Sequence, residues 1–162
     1  MQCTAYLILG SNIGDREANL SSASSLLSAN DLSIVKSSRL YETEAWGNIN
    51  QAGFYNQALK IETSLSPLSL LQRCLKVEEE IGRVRIEKWG PRIIDIDIAY
   101  YENLILQVEE LKIPQHSLEK RKFALIPLTE ISAHKIHPLL LKSNKDLLSE
   151  CDDSLTVKTV DA

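Results

Sequence analysis

Two aspartates and a group of arginines are the residues whose types and spacing could do chemistry in this chain. Asp95 and Asp97 sit in Ile93-Ile94-Asp95-Ile96-Asp97-Ile98, where isoleucines alternate with the acids. In an extended strand Ile94, Ile96 and Ile98 point one way and the carboxylates the other, with Cα atoms of the two acids roughly 6.6 Å apart. Two carboxylates so placed can grip one metal ion from two sides or share a small cluster. Arg83, Arg85, Lys88 and Arg92 lie just upstream, and Arg121 lies downstream. Acids for a metal beside cations for the remaining phosphate charge point to a metal-bound polyphosphate. The plainer account is a half-solvated strand next to a solvated basic loop. Alternation alone favours that account; only the combination of acids and cations favours a site.

The elements that must position these residues follow from periodicity and punctuation. Thr4 to Leu9 reads as a central strand, and Gly10 to Asp15 as a glycine-flanked turn. Asp15 is placed to cap a helix running through Glu17 to about Ala29, with Leu20, Ala23 or Ser24, Leu26 and Leu27 as its apolar stripe. The turn lacks the Gly-Lys-Ser/Thr of a Walker A loop and the spacing of a dinucleotide fingerprint. Leu32 to Tyr41 reads as a second strand, Glu42 to Gly53 as a loop and Phe54 to Thr63 as an alternating strand. Ser66 and Pro67 open a helix to Ile81 with Leu70, Cys74, Val77 and Ile81 on its core face, and Gly82 stops it.

Beyond the acidic strand, Glu102-Asn103 is a turn and Leu104 to Gln107 a short returning strand. Leu118 to about Ile131 is helical in pattern, with Pro127 expected to kink it or mark a junction. Leu139 to Glu150 reads as a last helix. The order strand, helix, strand, strand, helix, strand predicts an α+β, ferredoxin-like sandwich: a mostly antiparallel sheet with helices packed on one face. The expectation is one domain over residues 1–162, with 151–162 as a surface tail.

With 162 residues, 44% hydrophobic and 25% charged, the chain can bury a core without staples. A net charge of −4 argues against a dedicated nucleic-acid binder but leaves room for a local cationic pocket. Cys3, Cys74 and Cys151 are three, widely spaced, and read as free thiols in a reducing compartment. No apolar run reaches transmembrane length, and the first residues read as a strand rather than a leader, so the cytoplasm is expected. His134 and His137 lack the further ligand that a zinc site needs. Trp46 is either a packing anchor or a flat surface for a flat ligand. Asn56 shares a strand face with Phe54, or is a surface residue at a sheet edge.

The compound motif Gly82-Arg83-Val84-Arg85, Lys88-Trp89-Gly90-Pro91-Arg92 and Asp95-Ile96-Asp97 resembles that of the 6-hydroxymethyl-7,8-dihydropterin pyrophosphokinase family of folate biosynthesis. Gly10-Ser11-Asn12, Phe54-Tyr55-Asn56 and Arg121-Lys122-Phe123 fall where that family has supporting motifs, so the resemblance spans roughly Ala5 to Ile131. It implies transfer of the β,γ-pyrophosphoryl group of ATP to the 6-hydroxymethyl oxygen of the dihydropterin, releasing AMP, with two Mg²⁺ ions held by Asp95 and Asp97. Arg83 and Arg92 would be catalytic beside those acids. Glu78, Arg85, Lys88, Trp89, Ile98, His116 and Arg121 would serve ATP. Thr43, Glu44, Trp46, Phe54, Asn56 and Phe123 would serve the pterin, with Phe54 and Phe123 on its faces and Asn56 at its edge. A neighbouring folate-pathway enzyme is the implied protein partner; no nucleic acid or membrane partner is expected.

Two departures from the family's pattern stand out. Lys88 keeps a charge where arginine is frequent but loses the forked donor geometry. Gln115 follows Pro114 where the family commonly has histidine, with His116 one position later; His116 is slightly favoured for that contact. Two rivals remain: another Mg-dependent phosphoryl or nucleotidyl transferase, and a non-catalytic ferredoxin-like ligand-binding domain. The first needs no convergence of Phe54, Asn56 and Phe123 near Asp95. The second predicts acids turned away from the arginines.

Overall fold

Eight short strands and four helices make up a computed structural model that describes residues 2–43, 53–82 and 92–160. Strand β1 (Cys3–Ser11) is the sheet's middle, because nearly every residue from Ala5 to Ser11 is buried. It pairs antiparallel with β4 (Phe54–Thr63) on one side and β5 (Asp95–Tyr101) on the other. β4 in turn pairs antiparallel with β2 (Leu32–Ser37) along one half and β3 (Tyr41–Thr43) along the other. The sheet is antiparallel throughout, and its order is that of a ferredoxin-like α+β sandwich.

Helices α1 (Arg16–Leu27) and α2 (Pro67–Ile81) cover one face, packing Leu20, Ala23, Leu27, Leu70, Cys74 and Val77 on Leu7, Leu9, Leu59, Ile61, Ile96 and Ile98. The caps are those expected: Asp15 Oδ1 accepts the Ala18 N–H, and Ser66 accepts the Ser69 N–H. Gly82 ends α2 at φ 110°, a conformation that glycine adopts at little cost. Leu26, expected in the α1 stripe, is instead 43% exposed. Burial of the Cys74 thiol pushes its pKa up to about 12, which suits its reading as a core residue.

Several expectations are corrected. A second pair of helices, α3 (Lys122–Ser132) and α4 (Asn144–Glu150), covers the opposite face, so helices are not confined to one side. The expected strand 32–41 is two strands: at Ser38 the backbone N–H still donates to the Ala58 carbonyl, but the Ser38 hydroxyl, not its carbonyl, accepts the Ala58 N–H. Glu42 and Thr43, read as loop, extend that pairing as part of β3. Strand β6 (Leu106–Gln107) pairs with β7 (Lys112–Ile113) in a separate ribbon, not back onto β5. Pro127 lies inside a continuous α3. The junction falls at Arg121, after a 3₁₀ turn over Leu118–Lys120. Burial of Ala124, Leu125, Leu128 and Ile131 outweighs the roughly 3 kcal/mol that an interior proline costs. The last expected helix starts at Asn144, capped by Ser143, and within the expected tail Val157–Thr159 joins β3 as strand β8.

Candidate active site

The alternation in β5 holds. Ile94, Ile96 and Ile98 are buried among the residues under α1 and α2, so Asp95 and Asp97 face the α3 side of the sheet. Ile98 is 4% exposed, which removes its side chain from the expected ATP contacts; the core takes it. Register places Asp95 beside Gly10 and Asp97 beside Ile8 on β1, and Gly10 beside Asn56 on β4. Asn56, Gly10 and Asp95 therefore form one row across three strands on one face. A side chain on Gly10 would lie 2.8 Å from Asn56 Nδ2 and 3.4 Å from Phe54 Cδ1, so the missing Cβ is the space those two side chains use. Phe123, at the start of α3, packs on the cluster of that same face.

Cations meet the acids there. Arg92 Nη1 lies 3.4 Å from Asp95 Oδ2. Its backbone is anchored to the end of β1: Asn12 Oδ1 accepts the Arg92 N–H at 2.7 Å, and the Asn12 N–H donates to the Arg92 carbonyl at 3.0 Å. Burial, then the neighbouring Asp95 charge, pushes the Asp97 pKa up to about 7, while Arg121 and Arg92 pull it down. The acids are thus turned toward arginines, against the reading of a non-catalytic domain. Among the described residues no group of three or more histidine, cysteine or acidic side chains forms a metal cage. The donor set is two hard carboxylates that leave room for water and phosphate oxygens, which is how Mg²⁺ is usually held.

Three buried polar atoms near this face have no hydrogen-bond partner among the described residues: Thr43 Oγ1, Asn56 Oδ1 and Gln115 Oε1. Buried polar groups are normally satisfied, so three orphans on one side mark where a ligand's donors belong. Thr43 pairs with Phe54 across β3 and β4 and shares its face.

Two expected positions change. Gln115, not His116, faces the acids: its Nε2 donates to Asp97 Oδ2 at 3.0 Å, its backbone N–H donates to the Ala99 carbonyl, and His116 is exposed. Glu78 is buried, and its Oε2 accepts the Ile96 N–H at 2.7 Å, so one of its carboxylate oxygens supports β5. The sequence signal for Asn12 was its place in Gly10-Ser11-Asn12; its two bonds to Arg92 needed the fold. Arg83, Arg85, Lys88, Trp89, Glu44 and Trp46 lie outside the described residues.

These are the features of a phosphate-handling transferase built on a ferredoxin-like sandwich. The sequence model described as 7,8-dihydro-6-hydroxymethylpterin-pyrophosphokinase matches residues 6–133. A 2-amino-4-hydroxy-6-hydroxymethyldihydropteridine pyrophosphokinase of Aquifex aeolicus is 46% identical over 147 residues, 91% of each chain. One from Bacillus subtilis is 42% identical over 132 residues, 81% of this chain and 79% of its own. The chain belongs to the 7,8-dihydro-6-hydroxymethylpterin-pyrophosphokinase family. Among solved structures, an HPPK-DHPS in complex with substrates superposes with a TM-score of 0.72 at 15% identity, covering 92% of this chain. This chain spans 43% of that longer one, and at such identity the likeness speaks to the fold alone.

Proposed function

We propose that the chain transfers the β,γ-pyrophosphoryl group of ATP to the 6-hydroxymethyl oxygen of 6-hydroxymethyl-7,8-dihydropterin, giving AMP and the dihydropterin diphosphate. The row Asn56–Gly10–Asp95 carries this reading. It sets an orphaned edge-reading amide two strands, roughly 10 Å, from a paired-acid end. That span suits a flat bicyclic ring with a one-carbon arm reaching a phosphate. The hydroxymethyl oxygen bonds to the β-phosphorus, the bond from that phosphorus to the α-bridging oxygen breaks, and AMP leaves with that oxygen as the hydroxyl gives up its proton.

Each residue has a part in this reading. Asp95 and Asp97 would hold two Mg²⁺ ions, which supply charge neutralisation on the polyphosphate when bound. Arg92, anchored through Asn12, and Arg121 receive phosphate oxygens; forked guanidinium donors match them. Gln115 orients Asp97 and offers its free carbonyl to a donor in the site. Thr43 and Asn56 read the pterin edge, while Phe54 and Phe123 take its faces. Arg83 as a second catalytic cation, Arg85, Lys88 and Trp89 at the phosphates, and Glu44 and Trp46 at the pterin rim complete the assignment from the motif. The reading puts the protein in the cytoplasm. Among the described residues no helix is long and apolar enough to cross a membrane. A neighbouring enzyme of folate biosynthesis is the partner class that the motif implies.

The test is AMP release from ATP measured with and without the hydroxymethyl dihydropterin. AMP is expected only when both are present. AMP formed at the same rate without the pterin would overturn the assignment in favour of another phosphoryl transferase.

A further inference from the structure

We propose that Arg16 is a positioning residue for the pterin, acting from the back of the sheet on Thr43, Phe54 and Asn56 without touching the ligand. The inference rests on the assignment of the pterin to that end of β3 and β4.

Arg16 is the first residue of α1. Its Nη1 donates to Glu42 Oε2 and to the Gly53 carbonyl, each at 2.8 Å, and its guanidinium carbon sits 3.9 Å from the centre of the Tyr55 ring. Glu42 and Tyr55 are direct partners across β3 and β4. One guanidinium therefore engages both members of a cross-strand pair and the residue that precedes β4. Glu42 and Tyr55 alternate with Thr43, Phe54 and Asn56, so the clamp lies behind the face that carries the proposed pterin groups.

β3 is three residues long, paired with β4 on one side and with the equally short β8 on the other, and such short ladders hold a spacing weakly by themselves. The approach is also close: a Cβ on Gly53 would fall 2.7 Å from the Thr43 carbonyl oxygen. Thr43 Oγ1 and Asn56 Oδ1 are both buried and, among the described residues, unpartnered. Two orphaned groups can meet one rigid ligand only if their separation is set beforehand, and preorganisation of that kind appears as affinity. Arg16 joins the charge, stacking and backbone contacts that set it. Lysine would keep the ion pair with Glu42 but lose the fork and the stacked plane.

The test compares Arg16→Ala, Arg16→Lys and Glu42→Gln with the wild type. It measures KM for pterin and for ATP, kcat, thermal midpoint, and pterin Kd by fluorescence titration without turnover. Arg16→Ala should raise the pterin KM and Kd about tenfold, the loss typical of one charge-assisted contact, and leave the ATP KM within about twofold. Arg16→Lys should recover part of that loss. Glu42→Gln should raise both pterin constants about threefold, and it carries the test if Arg16→Ala does not fold. A purely structural arginine would lower the thermal midpoint and move both KM values together, or neither, and either result overturns the inference. Wild type that binds pterin as tightly as the variants overturns this inference alone. Wild type that binds no pterin overturns the assignment of function as well.

Discussion

Glu78 holds the backbone between the two acids: its Oε2 accepts the Ile96 N–H at 2.7 Å, on the outer edge of the strand that ends the sheet. An edge strand has N–H groups with no strand to receive them, and a buried carboxylate from α2 meets this one. Glu78→Ala should cost about 1–3 kcal/mol in urea unfolding, because a buried donor is left without its partner. It should also lower kcat, since Asp95 and Asp97 flank the freed peptide. Glu78→Gln keeps a carbonyl acceptor and should retain most of the stability. Equal losses in both variants would show that the charge, not the hydrogen bond, matters.

Asp97 makes the metal-free protein sensitive to pH. Burial and the Asp95 charge raise its pKa to about 7, so the folded form keeps a proton that the unfolded chain has released. Where the folded state binds more protons, stability falls as pH rises. Unfolding in chelator should show stability dropping between about pH 4 and pH 7 and levelling off above it, and Asp97→Asn should flatten the drop. Asp97→Asn should also abolish most turnover at saturating Mg²⁺, as should Asp95→Asn. A variant that turns over near the wild-type rate would remove the acids from the mechanism.

Gln115 and His116 separate cleanly. Gln115→Ala removes the donor on Asp97 Oδ2 and should lower kcat/KM for ATP about tenfold. His116 is exposed, and His116→Ala should change the same constant by less than about twofold. Steady-state kinetics at fixed pterin decides between them; the reverse order of effects would return the role to His116.

Gly10→Ala probes the link between the two halves of the site. The new methyl would meet the Asn56 amide at 2.8 Å, and that amide is the end of a side chain that can turn away. The protein should fold with a thermal midpoint close to wild type, while the pterin KM rises by about tenfold or more because Asn56 and Phe54 are displaced. An unchanged pterin KM would mean that neither side chain binds it.

Much of the scaffold was legible from short stretches. Helix α2 carries its own start in Ser66-Pro67, its stripe in Leu70, Cys74 and Val77, and its stop in Gly82. Strand β4 carries its full alternation. These signals are local: capping chemistry and side-chain periodicity act within a few residues. Reading failed where a distant partner decides. Ser38 breaks the strand after β2 because its hydroxyl meets Ala58, and Val157–Thr159 is a strand because β3 offers it an edge. Pro127 stays inside α3 because the sheet beneath it rewards a continuous apolar face.

The site divides in the same way. Sequence by itself determined that Asp95 and Asp97 share a strand face beside arginines, since alternation and spacing along one chain require no partner. Its motifs also determined the family. Only the tertiary structure decided that Gln115 rather than His116 faces Asp97, that Glu78 supports Ile96, and that Asn12 anchors Arg92. It also decided that Asn56 lies across Gly10 from Asp95. Each of these pairs is joined by strand register or helix packing between segments far apart in the chain, and neither composition nor periodicity carries that information.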